Sequence, residues 1–198
     1  AVDGIRDTLR SRGLVYVYKR QLQYLLQNEI ITDIVIDGAN RKWFATDGGG
    51  LFLMSEDGTS TIYSLSKENS PLFSNKIQAL AINNSSGELF IGTEKGILGF
   101  KSGATSSNTT FTELVVYPNP VRPDYQGNIS VKGMMHNSEV KIVDASGFHI
   151  QTVFSRGGQA IWDGRDQNNQ PVSSGVYYFF ASSEDGFSKA KSKVLIIR

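Results

Sequence analysis

A segment near the start of the chain recurs 47 residues later, and this repeat restricts the possible folds more than any other feature. Residues 28–46 align without gaps on residues 75–93, and Trp43 falls on Phe90. Each copy runs into a glycine-containing turn. A period of about 40–50 residues with several short strands per unit is typical of β-propeller blades. Because two blades cannot close a ring, we expect them to be the tail of a propeller.

Short runs of β-branched and aromatic residues divide the first repeat into strands. Turn residues such as Gly38, Asn40 and Gly58 separate these runs, and Pro71 breaks the pattern before the second copy. The predicted strands are Asp33–Asp37, Lys42–Thr46, Gly50–Ser55 and Thr61–Leu65. We assign residues 22–101 to the terminal blades of a propeller.

The pattern changes after residue 101. Residues 102–113 are mostly small and polar, with nothing to bury, and are predicted to form a linker. Residues 114–198 contain seven strand candidates at close turn spacing, as in an immunoglobulin-like sandwich. These are Leu114–Tyr117, Asn128–Lys132, Glu139–Asp144, Phe148–Phe154, Gln159–Trp162, Val176–Ser182 and Lys189–Ile197. The predicted fold class is all-β, with about two blades of a partial propeller followed by an Ig-like β-sandwich.

The first 21 residues match neither pattern. Residues 17–21 resemble one reading frame of a widely used transposase adaptor, which favours an assembly scar. A truncated earlier blade is the alternative. These residues are left out of the fold prediction.

The composition excludes several classes of function. Twenty basic and 19 acidic residues leave a net charge of +1, which argues against a surface for nucleic acid or anionic membrane. No apolar run approaches the ~18–20 residues needed to span a bilayer. Cysteine is absent and the only histidines are His136 and His149, so neither a thiolate nucleophile nor a Cys- or His-rich metal site can form.

No catalytic, metal or cofactor site is predicted. Acidic and amide residues crowd the loop Asp163–Asn169, but their spacing does not match a calcium-binding EF-hand, so Asx-type turns are favoured. Neither a Ser-His-Asp set nor a pair of carboxylates stands at a catalytic spacing.

Three places remain as candidate binding residues. Trp43 either packs between blades or stacks on a carbohydrate ring. In the last strand, alternation places Lys189, Lys191 and Lys193 on a solvated face. Gly175 precedes the longest apolar run, where a Cβ is expected to strain the backbone, and Tyr177 is expected on the face opposite Val176 and Tyr178.

Several motifs resemble known families. The segments 24–29, 37–44 and 69–72 resemble the last blades of the two-component-regulator type of propeller. Together with Gly87–Gly96 and Tyr117–Pro123 they resemble, more specifically, a surface component of the type IX secretion system of Bacteroidota. Gly158–Arg165 and Ser174–Tyr177 resemble the Ig-like domain shared by flagellar hook-capping proteins and type IX sorting domains. Asn169 replaces the usual glycine of the following turn, and asparagine also tolerates a positive φ.

The resemblance implies a non-catalytic role in the attachment complex that joins anionic lipopolysaccharide to secreted cargo. The implied partners are the sortase-like and shuttle proteins of that complex, and anionic lipopolysaccharide or another glycan. The implied location is the outer membrane surface, reached by export through the periplasm. The implied sorting or docking residues are Pro118, Asn119, Pro120, Gly175, Tyr177, Lys189, Lys191 and Lys193.

Two alternatives stay open at this stage. The first alternative to a non-catalytic surface component is the C-terminal part of a type IX-secreted hydrolase. The second is the periplasmic propeller sensor of a hybrid two-component system. A catalytic domain upstream would indicate the first, and a transmembrane helix and kinase downstream would indicate the second.

Overall fold

The computed structural model describes residues 26–198, and within them every regular element is a β-strand. The expectations for residues 1–21 lie outside this range. No helix in the described part is long and apolar enough to cross a membrane. The strands are β1 Ile31–Ile36, β2 Lys42–Thr46, β3 Leu51–Met54, β4 Thr61–Leu65, β5 Ile77–Asn83, β6 Glu88–Thr93, β7 Gly96–Lys101, β8 Val115–Tyr117, β9 Ile129–Lys132, β10 Glu139–Val143, β11 His149–Phe154, β12 Gln159–Trp162, β13 Gly175–Ser182 and β14 Lys189–Ile196.

The two repeats form two separate antiparallel sheets. The first has the strand order β1-β2-β3-β4 and the second the order β5-β6-β7. All four strands predicted for the first repeat are present, and β2 and β4 have the predicted bounds. The turn before β2 depends on Asn40, whose φ of 56° is a conformation that asparagine tolerates better than most residues.

The first strands of the two sheets, β1 and β5, are called the inner strands. Along these strands the gapless alignment of the repeats is wrong by one residue. Ile31 pairs with Thr46 in the first sheet, whereas Ile77 pairs with Thr93 in the second. Ile77 is therefore equivalent to Ile31, and the offset is 46 residues in the inner strand and 47 in the next. The extra residue lies in the second hairpin, where six residues separate the paired Ile82 and Leu89, against five between the paired Ile36 and Lys42. Both inner strands carry a register shift at the same place, after Ile31 and after Ile77.

Side chains of the two sheets pack into one apolar core. Trp43 is fully buried and contacts Phe100 of the second sheet, with ring centroids 5.7 Å apart. The Asp33 carboxylate accepts a hydrogen bond of 2.7 Å from the Leu80 N–H and ties the inner strands together. The buried residues of this core are Trp43, Ala45, Leu51, Leu53, Leu72, Ile77, Leu80, Leu89 and Ile91.

All seven strands predicted for the second half are present, and they form a β-sandwich. One sheet has the order β11-β10-β13-β14 and the other the order β12-β9-β8. Residues of both sheets enclose a second core, in which Trp162, Phe179 and Met134 are among the largest fully buried side chains. Asn169 has a φ of 61°, as expected of the residue that replaces a glycine in its turn.

The segment predicted as a linker with nothing to bury is partly buried. Ala104 is fully buried, and Ser102 and Thr105 are nearly so. Thr105 lies against both halves of the molecule: its carbonyl accepts a 2.8 Å hydrogen bond from the Gly158 N–H of the sandwich, and it contacts the Gly38 backbone of the first sheet. The segment is small and polar because it passes through a narrow gap between neighbouring chain segments.

Candidate binding surfaces

The structure gathers the residues predicted for sorting or docking around the C-terminal strand β14. Gly175 and Tyr177 lie on β13 and pair with Ile196 and Val194 of β14. The Pro-Asn-Pro segment lies along the other edge of β14, where Asn119 Nδ2 donates to the Lys193 carbonyl at 3.2 Å. Residues far apart in the sequence therefore meet at one strand.

The Pro-Asn-Pro segment covers an edge that would otherwise be open. Asn119 Oδ1 accepts a hydrogen bond of 3.1 Å from the Leu195 N–H. The Val121 N–H then donates to the Leu195 carbonyl at 2.8 Å, and the Ile197 N–H donates to the Val121 carbonyl at 2.9 Å. Unpaired strand edges promote aggregation, so a motif that pairs this edge has a clear structural role.

The three predicted lysines of β14 are exposed and alternate with inward-facing residues, as expected. Phe180 pairs with Lys141 on one side and Lys191 on the other, and Tyr178 pairs with Lys193. We define the lysine face as the exposed residues Lys141, Tyr178, Phe180, Lys189, Lys191 and Lys193.

The charge of the lysine face is largely unbalanced. Lys141 lies 3.7 Å from Glu139. Within residues 26–198, no carboxylate lies within 4.0 Å of the ammonium groups of Lys189, Lys191 and Lys193. Tyr178 and Phe180 are 37% and 46% exposed between these lysines. The face is therefore cationic with aromatic patches and is suited to an anionic partner.

Tyr177 lies in the core rather than on a recognition surface. It lies on the opposite face from Tyr178, as expected, but it is only 6% exposed and packs 5.6 Å from Trp162 between ring centroids. Its hydroxyl donates to the Ser173 carbonyl at 2.9 Å, and burial raises the pKa of Tyr177 above its usual value. Its side chain therefore stabilises the sandwich and has little surface for a partner.

The expected strain at Gly175 is not present. Its φ is not in the left-handed region, and an added Cβ would have its nearest neighbour, a ring atom of Tyr177, at 3.7 Å. This distance is ordinary van der Waals contact, so alanine fits this position.

Trp43 has the position that the packing interpretation predicts. Its side chain is 0% exposed and lies between Tyr63 of its own sheet and Phe100 of the next. Carbohydrate stacking requires an exposed ring face, and Trp43 has none. Phe90, its counterpart in the repeat, is 42% exposed because it lies on the face that the second sheet turns away from the first.

The junction between blades and sandwich contains interactions that the sequence analysis missed. Asp37 and Arg41 form a buried ion pair at 2.7 Å, and Arg41 Nη2 also donates to the Ser102 carbonyl at 2.8 Å. His136 of the sandwich lies 3.2 Å from Glu56 of the first sheet. Hydrogen bonds from Asn40 and His136 hold the pKa of Glu56 below its usual value. The spacing of Asp37 and Arg41, four residues apart across a turn, was the sequence signal for the ion pair. The bond to Ser102 has no such signal, because Ser102 lies 61 residues from Arg41.

Both histidines form hydrogen bonds with neighbouring residues. His136 accepts the Gly157 N–H at Nδ1, and His149 contacts Thr152 and Gln167. The Asp163–Asn169 loop shows the predicted Asx-type turns, in which Asp163 and Asp166 accept backbone N–H groups two residues ahead. Within residues 26–198, no group of three or more His, Asp or Glu side chains is placed to hold a metal ion.

Comparison with known proteins finds one informative similarity. The chain is similar to PorZ, an essential surface component of the type IX secretion system of Porphyromonas gingivalis, at 36% identity and a TM-score of 0.57. The similarity covers 92% of this chain and 24% of PorZ, so the chain spans about a quarter of that protein. No protein-family model matches the sequence. No curated protein matches it either.

Two further solved structures are more distant. Both are extracellular domains of hybrid two-component systems of B. thetaiotaomicron. They are 15% and 14% identical, cover 89% and 92% of this chain and 25% and 28% of their own, and have TM-scores of 0.36 and 0.33. The PorZ-like character of the chain therefore rests on the first comparison.

Proposed function

We propose that the chain is part of a non-catalytic cell-surface component of a type IX secretion system. The observation that carries this proposal is the 36% identity to PorZ over 92% of the chain.

The proposed partners are the sortase-like and shuttle proteins of the attachment complex, with anionic lipopolysaccharide as the glycan that they handle. The lysine face is the proposed docking surface of the sandwich, because its ammonium groups are exposed and Lys189, Lys191 and Lys193 have no carboxylate partner in the described part of the chain. Opposite charges across an interface increase the association rate and restrict the choice of partner. The proposed location is the outer membrane surface, reached through the periplasm.

Replacement of Lys189, Lys191 and Lys193 by glutamine tests this surface. We expect the stability of the chain to change by less than about 0.5 kcal/mol, since these side chains are exposed. We expect fewer molecules at the cell surface when the chain, exported with an added signal peptide, is produced in a type IX-competent host. Antibody binding to intact cells measures this display.

A matched triple variant controls for the loss of charge. The control replaces Lys67, Lys95 and Lys132, which are exposed outside the lysine face and have no carboxylate within 4.0 Å in the described part of the chain. Their replacement by glutamine removes the same charge elsewhere. Normal display of a stably folded β14 variant would count against the lysine face as a docking surface. Equal loss of display in both variants would show that net charge alone matters.

A further inference from the structure

The outer face of the sheet β11-β10-β13-β14 carries apolar residues, although the solvated face of an antiparallel sheet is usually polar. Val176, Tyr178 and Phe180 follow one another at every second position of β13 and point away from the sandwich core. Leu195 of β14 pairs with Val176, and Val143 of β10 pairs with Tyr178. We define the apolar ridge as these five residues, two of which also belong to the lysine face.

The apolar ridge is open to solvent. Tyr178, Phe180 and Leu195 are 37%, 46% and 42% exposed, and the two valines are half-buried. Within the described part of the chain, neither aromatic ring of the ridge contacts another ring, whereas both rings on the core side of β13 pack on Trp162. Contiguous exposed apolar surface with a polar border is typical of an interaction site.

Lysines border the apolar ridge on two sides. Phe180 has Lys191 of β14 on one side and Lys141 of β10 on the other, and Lys193 stands beside Tyr178. Lysine side chains in such pairs are close enough to contact the ring beside them. An apolar centre within a charged rim is the usual arrangement of a protein–protein interface.

A partner of this surface has to dock on the face of the sheet rather than on a strand edge. β13 pairs with β10 along one edge and with β14 along the other. The outer edge of β14 is covered by the Pro-Asn-Pro segment, through the two hydrogen bonds of the Asn119 amide. The backbone of β13 is therefore fully used, and side chains have to provide the contacts with a partner.

The chemistry of the face favours a protein over a nucleic acid or an anionic membrane. Binding of single-stranded nucleic acid depends on aromatic rings that stack on bases, whereas Val143, Val176 and Leu195 are aliphatic. The rim also contains the Glu139 carboxylate, 3.7 Å from Lys141, and the net charge of the chain is only +1. A protein surface can place carboxylates on the lysines and apolar side chains on the ridge at the same time.

We propose that the apolar ridge and the lysine face together bind a protein surface in which carboxylates stand next to aromatic or aliphatic side chains. Tyr178 and Phe180 hold the complex together and slow its dissociation, because aromatic side chains at the centre of an interface contribute much of the binding energy. The lysines of the rim attract the partner and raise the association rate. The proposal rests on the function proposed above, since it describes the partner of the same docking surface.

Two polymers of known composition serve as probes of these contributions. Poly-glutamate offers carboxylates alone, whereas the copolymer of glutamate and tyrosine offers carboxylates next to aromatic rings. The 198-residue chain flows over sparsely immobilised polymer, and a biosensor records the association and dissociation rates at low and at moderate salt. We expect the chain to bind the copolymer about tenfold more tightly than poly-glutamate, because ring contacts add to the charge attraction.

Two variants separate the ridge from the rim. The aromatic variant, Tyr178→Thr with Phe180→Thr, removes both rings and retains residues that suit a strand. It should bind the two polymers equally, associate at the parent rate and dissociate from the copolymer about tenfold faster. The β14 lysine variant, with glutamine at positions 189, 191 and 193, should associate several-fold more slowly at low salt and depend less on salt.

Control variants remove the same groups outside the docking surface. Phe73→Thr with Tyr117→Thr removes one phenylalanine and one tyrosine that are 46% and 69% exposed, and it should change neither rate. The control lysine variant described above should associate faster than the β14 lysine variant. Amide NMR spectra show whether each variant is folded, and Phe180→Thr alone replaces the aromatic variant if the double change unfolds the chain.

The results that overturn the proposal differ from failure of the proposed function. Equal binding of the two polymers by the parent chain overturns it, as does an unchanged preference for the copolymer in a folded aromatic variant. Tighter binding of oligothymidylate, or of phosphatidylglycerol vesicles, than of the copolymer overturns it in favour of a nucleic acid or a membrane. Failure of the proposed function shows instead as normal surface display of the β14 lysine variant while the parent chain still prefers the copolymer.

Discussion

The side chain of Asn119 pairs with the backbone of β14 as the backbone of a neighbouring strand would. Its amide donates to the Lys193 carbonyl and accepts from the Leu195 N–H, so both ends of one planar group pair with the β14 backbone. The neighbouring prolines lack N–H groups and cannot pair in the same way. An amide side chain between two prolines therefore completes an edge that backbone alone could not.

Replacement of Asn119 by alanine should destabilise the chain by about 1–2 kcal/mol, since two hydrogen bonds of ordinary strength are lost. Urea denaturation of the variant and the parent measures the difference. Asn168→Ala is the control, because the Asn168 side chain forms no hydrogen bond within residues 26–198. An equal stability of the two variants would contradict this role for Asn119.

Residue-scale features were predictable where they depend on neighbours in the sequence. Asn169 could be assigned a positive φ because its turn is defined by adjacent residues, and the exposed lysines followed from strict alternation. The strain expected at Gly175 is wrong, since its place at the start of an apolar run gives no information on its φ. The junction contacts of Arg41 with Ser102 and of His136 with Glu56 were not found, because they join segments that are distant in the sequence.

At the scale of elements, the strands followed from local pattern, whereas their register did not. Every strand predicted for the first repeat and for the sandwich is present, because turn chemistry and alternation are local signals. The one-residue difference between the inner strands of the two blades depends on pairing between β5 and β6, and a gapless alignment cannot show it. Partner strands and loop length decide register.

The contact between the linker and the sandwich depends on one glycine turn. Gly157 has a φ of 64°, and an added Cβ would lie 1.8 Å from the Thr105 carbonyl oxygen and 2.5 Å from that of Gly38. Gly147 has a φ of 86° in another turn of the sandwich, with no atom within 4 Å of an added Cβ. An alanine at either position would therefore carry the strain of a left-handed conformation, but only Gly157→Ala would add a steric clash.

The Gly147→Ala variant should lose about 1–2 kcal/mol of stability from backbone strain alone. The Gly157→Ala variant should lose at least about 1 kcal/mol more, because the linker or the turn must move to relieve the clash. Urea denaturation of both variants gives the comparison. Equal losses of stability would show that the chain around Thr105 moves aside without destabilising the fold, and that the junction is not closely packed.

At the scale of the whole molecule, the two halves differ in how completely their apolar residues are covered. The sandwich core is enclosed by its own two sheets. The second blade instead presents Phe90 and Ile97 to solvent, 42% and 73% exposed, on the face away from the first blade. The repeat explains the difference, because Trp43 occupies the same position as Phe90 and is covered by the following blade. Repeat units bury their faces against neighbours.

Residues 111–198 should therefore fold alone, whereas residues 26–110 should not. The first fragment contains the complete sandwich core, and the second contains two sheets with an open face and exposed strand edges. Amide NMR spectra of the separate fragments measure this directly, with the intact chain as the reference. We expect dispersed resonances from the sandwich and collapsed, broadened ones from the blades.

A fragment of residues 102–198 makes the test independent of where the chain is cut. The cut at residue 111 removes the Gly158 to Thr105 and Asn108 to Met134 hydrogen bonds, which hold the linker on the sandwich. If these bonds add stability but are not required for folding, both sandwich fragments should be folded. The longer fragment should then unfold at a higher urea concentration. A well-dispersed spectrum from the isolated blades would contradict the argument, since it would show that two blades are stable without a third.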